Sequence, residues 1–217
     1  MKKDTKSETY NSKKVFQLKL TLNDSSPSVW RRILVPTDFT FFDLHCAIQD
    51  VMGWADYHLH NFYIAQKGTL MPIIVSLPNP EVESFAFEID ERYEKISSYL
   101  GIQVKQFRYC YDFGDSWEHT ILLEKEIDMV EGEDYPKCIA GKNACPPEDC
   151  GGVGGYENLQ EIMKNPKHEE HKEMLEWLCL ENASEFDPTE FDIEEVIFDD
   201  PRDRLREYNK QVGIHHT

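Results

Sequence analysis

An α+β fold in a single domain is what this sequence predicts, on three observations. Two pairs of short segments alternate apolar with polar residues and read as β-hairpins. A capped amphipathic stretch and one further strand lie between the pairs, and helical stretches broken by proline follow the second pair. The arrangement is a hairpin–helix–strand roll, then a second hairpin, then C-terminal helices. At 217 residues the chain suits one large domain or two small ones, and as one domain it would bury about 70% of its unfolded surface.

The elements follow in order. Residues 1–13 are polar, lysine-rich and without periodicity, so a disordered basic tail is expected there, with a single domain over 14–200. Val15–Leu22 alternates and reads as a strand with one buried face; turn residues Asn23–Pro27 lead into the returning strand Val29–Val35. Thr40 is placed to cap a helix over Phe41–Met52, with Leu44, Ile48, Val51 and Met52 at helical spacing and Gly53 as its stop. His58–Ala65 is the third strand. Residues 66–84 carry prolines at 72, 78 and 80 and read as a loop with one short extended piece. Ile89, Tyr93, Ile96 and Leu100 fall at helical spacing, which predicts a helix over Ile89–Leu100 ending at Gly101. Val104–Asp112 and His119–Ile127 form the second hairpin. Helices over 156–164 and 167–181 are separated by Asn165-Pro166, because proline cannot continue a helix without loss of a hydrogen bond.

Residues 181–200 hold nine acidic side chains and no lysine or arginine, interleaved with Phe186, Phe191, Ile193, Val196, Ile197 and Phe198. Such a segment packs an apolar edge onto the domain and leaves its charges in water. Residues 201–217 are left as a C-terminal tail.

Composition bounds the function. The formal net charge of −18 repels a phosphate backbone, so direct nucleic-acid binding is disfavoured. Apolar runs fall far short of the roughly 18 residues of a membrane helix, and the N-terminus lacks the apolar stretch of a signal peptide. A cytoplasmic protein is therefore expected, without membrane attachment. There the six cysteines stay reduced. Cys46, Cys110 and Cys179 sit in apolar contexts and read as buried small hydrophobes.

Chemistry concentrates in residues 109–155. Within Tyr111–His119 (YDFGDSWEH), Asp112, Asp115 and Gly114 suit a tight turn closed by side-chain hydrogen bonds. The alternative is that Asp112, Asp115, Glu118 and His119 serve as ligands for a divalent metal or as an acid–base pair. Cys138, Cys145 and Cys150, with His119 as a fourth donor, have the residue types of a Cys3His zinc site, though the spacing C-x6-C-x4-C is wider than zinc motifs favour. The alternative is a rigid turn fixed by Pro146-Pro147 and the glycines. Gly151–Gly155 precedes a helix, but no Lys-Ser/Thr follows and Glu148-Asp149 lies upstream, so positive φ angles explain the glycines better than a phosphate site. His58 and His60 fall on one face of a strand with Asp56 nearby, a pair that suits metal or solvent equally.

Five ordered motifs carry a family resemblance: Val29-Trp-Arg-Arg-Ile33; Gly53-Trp54 with His58-Leu-His60-x-Phe62; Tyr111-Asp-Phe-Gly-Asp-x-Trp117-x-His119; Pro146-Pro-Glu-Asp-Cys-Gly-Gly152 with Gly155-Tyr156; and Phe186-Asp-Pro-x-x-Phe191-Asp192. Through them residues 14–200 resemble the plasmid pRiA4b ORF-3-like family, whose members also occur as passenger proteins of mobile elements. The resemblance implies a single α+β domain and carries no catalytic residues across. If the two hairpins neighbour each other, His58, His60, Asp112, Asp115, His119, Glu148 and Asp149 line one polar pocket. The expectation is then a non-catalytic binding or accessory module with a protein partner or small ligand. A metal-dependent hydrolase or nuclease and a structural zinc protein are the alternatives.

Overall fold

The computed structural model describes residues 12–65, 67–68, 70–78, 88–102 and 104–211. Most of the expected disordered tail lies outside them. Eight strands form one mixed sheet: β1 (Lys14–Leu22), β2 (Trp30–Pro36), β3 (His60–Ile64), β4 (Ile73–Ser76), β5 (Glu88–Asp90), β6 (Gln106–Tyr111), β7 (Trp117–Asp128) and β8 (Lys137–Lys142). Their spatial order is β5-β4-β3-β6-β7-β1-β2-β8. The β4–β5 pair is parallel and the other neighbours are antiparallel. Four helices complete the α+β domain: α1 (Phe41–Met52), α2 (Gly152–Lys164), α3 (His171–Trp177) and α4 (Pro201–Gln211).

Strand alternation creates the core. Phe16, Leu18, Leu20 and Leu22 of β1 are buried, while the residues between them are part-exposed. Against that face lies α1, whose Phe41 meets Phe62 at 5.0 Å and Phe107 at 5.5 Å. The helix starts where Thr40 predicts. Asp43 N donates to Thr40 Oγ1 at 3.1 Å, Thr40 N donates to Asp43 Oδ2 at 2.9 Å, and Gly53 ends the helix at φ +78°.

The helix expected over Ile89–Leu100 does not form. Glu88–Asp90 pairs instead with β4, and only Ile96–Ser98 makes a 3₁₀ turn. Tertiary contacts override the local period: Glu91 is drawn into the core by His60, Thr40 bridges to Lys95, and Tyr93 stays exposed. Helix α2 begins at Gly152 rather than 156, and α3 is shorter than the expected 167–181. Cys46 and Cys110 are buried as expected, but Cys179 is exposed, because the chain turns through φ +56° there after α3 has ended. Two elements lie where none was expected, the edge strand β8 and helix α4.

Candidate functional site

One end of the sheet gathers three loops. Residues 54–59 lead into β3, residues 112–116 turn from β6 to β7, and residues 143–151 run from β8 into α2. Backbone and side-chain bonds sew them together. Asp112 N donates to Leu59 O at 2.9 Å, and Ala55 N donates to Glu148 Oε2 at 2.7 Å. Gly151 N donates to Asp115 Oδ2 at 3.0 Å. Trp54 Nε1 donates to Pro146 O at 3.0 Å, and its ring stacks on Tyr111 at 5.0 Å. Tyr111 bridges the remaining gap: its hydroxyl accepts from Tyr57 N at 3.0 Å and donates to Glu148 Oε1 at 2.5 Å. Burial and the Glu148 carboxylate both push that phenol well above its ordinary range.

Glycines permit this closeness. A side chain at Gly152, which has φ +68°, would sit 2.4 Å from Asp115 O, and one at Gly155 would sit 1.8 Å from Cys150 O. Asp112 and Asp149 also adopt positive φ, at 57° and 59°, a region that Asp and Asn tolerate better than most residues. The two aspartates thereby project toward His58. Its Nε2 lies 3.0 Å from Asp149 Oδ1 and 3.8 Å from Asp112 Oδ2. The other Asp112 oxygen accepts from Gly114 N at 2.8 Å, which fixes the carboxylate.

Of the seven pocket candidates, His58, Asp112, Asp149, Glu148 and Asp115 are thus brought together. His60 and His119 are not part of this group. His60 follows the inward side of β3, and His119 lies inward on β7 with Trp117 and Ile121. His119 Nδ1 lies 3.0 Å from Trp117 O, as an N–H donor would, and the ring abuts Trp54 edge-on at 5.5 Å. Burial in that apolar setting lowers its pKa to about 4.

His60 joins a different, buried network. Its ring stacks on His45 with centroids 3.4 Å apart, and its Nε2 lies 3.0 and 2.9 Å from the two oxygens of the fully buried Glu91. Tyr109 OH accepts from Gln49 Nε2 at 2.9 Å and lies 2.8 Å from His45 Nδ1, to which it donates when the neutral ring carries its proton on Nε2. His45 Nε2–H is then the donor to Asp56 Oδ1 at 2.9 Å. Burial first, and the neighbouring His60 second, lower the His45 pKa. At Asp56, burial works to raise the pKa, but His45, His60 and Arg204 together outweigh it and the carboxyl titrates below its usual range. The sequence places His45 inside the first helix as a satisfied polar contact, but its partners, and the part played by Glu91, emerge only from the packing of α1 on β3.

The cysteines do not assemble with His119. Among the described residues, two groups place three or more metal-capable donors within 4.8 Å, His45/Asp56/His60 and His58/Asp112/Asp149, and neither includes a thiol. Cys138 donates to Ala140 O at 3.6 Å. Burial raises the thiol pKa of all three cysteines, that of Cys150 to about 12, which makes them poor nucleophiles.

Residues 14–195 match the family described as plasmid pRiA4b ORF-3-like protein. The chain is 37% identical over 163 residues to an uncharacterized protein, y4hQ, of Sinorhizobium fredii, covering 75% of this chain and 80% of that protein. A crystal structure of a protein of unknown function, MM3350 of Methanosarcina mazei Go1, is 41% identical, with a TM-score of 0.77. The likeness covers 87% of this chain and 100% of that one. Among the described residues no helix is long and apolar enough to cross a membrane. Motifs, fold and relatives agree: the chain belongs to the plasmid pRiA4b ORF-3-like family.

Proposed function

We propose that the protein is a non-catalytic binding module of the cytoplasm, whose cleft at the 54–59, 112–116 and 143–151 loops receives a partner protein. The observation that carries this reading is the rim. Tyr57 is 80% exposed, Leu59 49% and Phe113 50%, and all three adjoin His58 or Asp112 in sequence. Aromatic and aliphatic side chains held outward around a rigid polar centre are what interface anchors look like. Two of the polar groups beneath are spent on joining the loops: Asp115 holds Gly151, and Glu148 holds Ala55 and Tyr111. Against the alternative of a metal-dependent hydrolase using Asp112, Asp115 and His119 with His58 and His60 stand the burial of His119 and His60 and the loop-joining bond of Asp115. Six unpaired thiols suit a reducing compartment.

The test is affinity capture from the native host with the parent protein and with a Tyr57→Ser/Phe113→Ser double variant. The parent should recover one partner reproducibly, and the variant should recover it at least about tenfold less, as for loss of interface anchors. Equal recovery by both proteins, or no partner for either, would sink the reading.

A further inference from the structure

We infer that the cleft is a divalent-cation site, with His58 Nε2, Asp112 Oδ2 and Asp149 Oδ1 as its protein ligands. The inference rests on the binding-module reading and names what lies at the centre of its cleft.

His58 is held in an anomalous position. Its Nε2 is shielded from solvent and has no hydrogen-bond partner, although Asp149 Oδ1 is only 3.0 Å away and Asp112 Oδ2 is 3.8 Å away. The oxygens are near but lie off the direction in which the ring nitrogen projects. An ordinary His–carboxylate pair would align, as His45 and Asp56 do at 2.9 Å. Ligands of one metal behave differently, because each points at a shared central point rather than at its neighbour. Adjacent donors about 2.1 Å from a common ion stand roughly 3–3.5 Å apart; here His58 Nε2 is 3.0 and 3.8 Å from the two oxygens, and all three donors lie within 4.8 Å of one another.

The surroundings fit a built site. Asp112 keeps one oxygen on Gly114 N, so the other stays oriented. The His58 ring rests edge-on against Tyr111 at 5.7 Å. The Asp115–Gly151 bond fixes the loop bearing Asp149 against the turn bearing Asp112. Two carboxylates with oxygens within 4.8 Å of each other match the charge of a divalent ion. Asp149 is largely exposed, which leaves coordination positions open to water or to an anionic group of a partner. One imidazole with two carboxylates favours Mn²⁺ or Zn²⁺ over Ca²⁺. The His45/Asp56/His60 group is less suited, because its two imidazoles lie only 3° from parallel and cannot both aim at one ion.

The test uses full-length, tag-free protein stripped with chelator and titrated with Mn²⁺, the free ion being followed by electron paramagnetic resonance. Mn²⁺ is chosen because thiols bind it weakly. The parent should take up about one equivalent. Asp149→Asn and His58→Gln should each weaken uptake at least about tenfold, with unchanged circular dichroism. Asparagine tolerates the positive φ at 149, so that variant keeps the loop. Uptake below about a tenth of an equivalent, or equal uptake by parent and both variants, overturns the site. Absent Mn²⁺ uptake with partner capture intact removes the cation and leaves the binding module. One equivalent bound with no partner captured removes the module and leaves the cation site.

Discussion

His45 and His119 are the side chains whose protonation the fold opposes most plainly. Both have pKa values lowered by burial, His119 to about 4. An unfolded chain takes up these protons near pH 6.5. Stability is therefore complete above about pH 6.5 and falls as pH drops toward the folded values. From pH 7 to pH 4.5 urea denaturation should show a loss on the order of 2–3 kcal/mol from His119 alone. In His119→Gln the slope over that range should be visibly shallower, and an unchanged slope would refute the assignment. The Glu124 carboxyl, held at about 2 chiefly by its hydrogen bond from Arg32, stabilises the fold at neutral pH and loses that contribution only as pH falls below about 4.5. At this scale the sequence announced that His58, Asp112 and Asp149 were unusual. It could not say that His60 turns inward while His58 does not, because that depends on where β3 begins.

Among the elements, the start of α2 is the tightest junction. Gly155→Ala would force a methyl group against the Cys150 carbonyl, a backbone atom that cannot step aside. The expected cost is about 2 kcal/mol or more in denaturant unfolding, whereas Gly154→Ala, which meets nothing within 4 Å, should be neutral or stabilising. Equal effects of the two substitutions would refute the close-packing account. Elements with caps or clean alternation were legible in advance: α1 had Thr40 and Gly53, and β1 had four inward apolar residues. The edge strand β8 was hidden because Gly141 interrupts its pattern, and the reason is tertiary. A side chain there would collide with Phe191, whose ring lies over the Arg31 guanidinium at 3.9 Å. Arg31 in turn donates to Val51, Lys142 and Asn143 carbonyls, tying α1 to β8 beneath the acidic segment.

Across the whole molecule, the C-terminal segment is held by charge as much as by apolar contact. Phe186, Phe191, Ile193, Val196 and Phe198 pack on the core, but α4 has a mostly polar sequence and docks through Arg204 to Asp50, with Asp56 at 3.5 Å. Lacking an apolar stripe, α4 gave the hydrophobic period nothing to detect. Arg204→Met should raise amide exchange across residues 201–211 while β1, β6 and β7 keep their protection. Uniform protection in parent and variant would show that α4 is held by other means. Because Asp56 also accepts from His45, the 54–59 loop is clamped from both the core and the C-terminal helix.

The position of β1 has a consequence for how the chain is made. Strand β1 leaves the ribosome before the other seven strands of its sheet and ends up in the interior, between β2 and β7. Its β2 neighbour follows at once, but Leu22 waits for His119, about a hundred residues later. At roughly 5–20 residues per second, synthesis leaves that edge unpaired for about 5–20 s. The nascent β1–β2 hairpin thus exposes an unfinished, apolar-faced edge during translation, and closing the sheet requires contacts between distant parts of the chain, a topology that folds slowly.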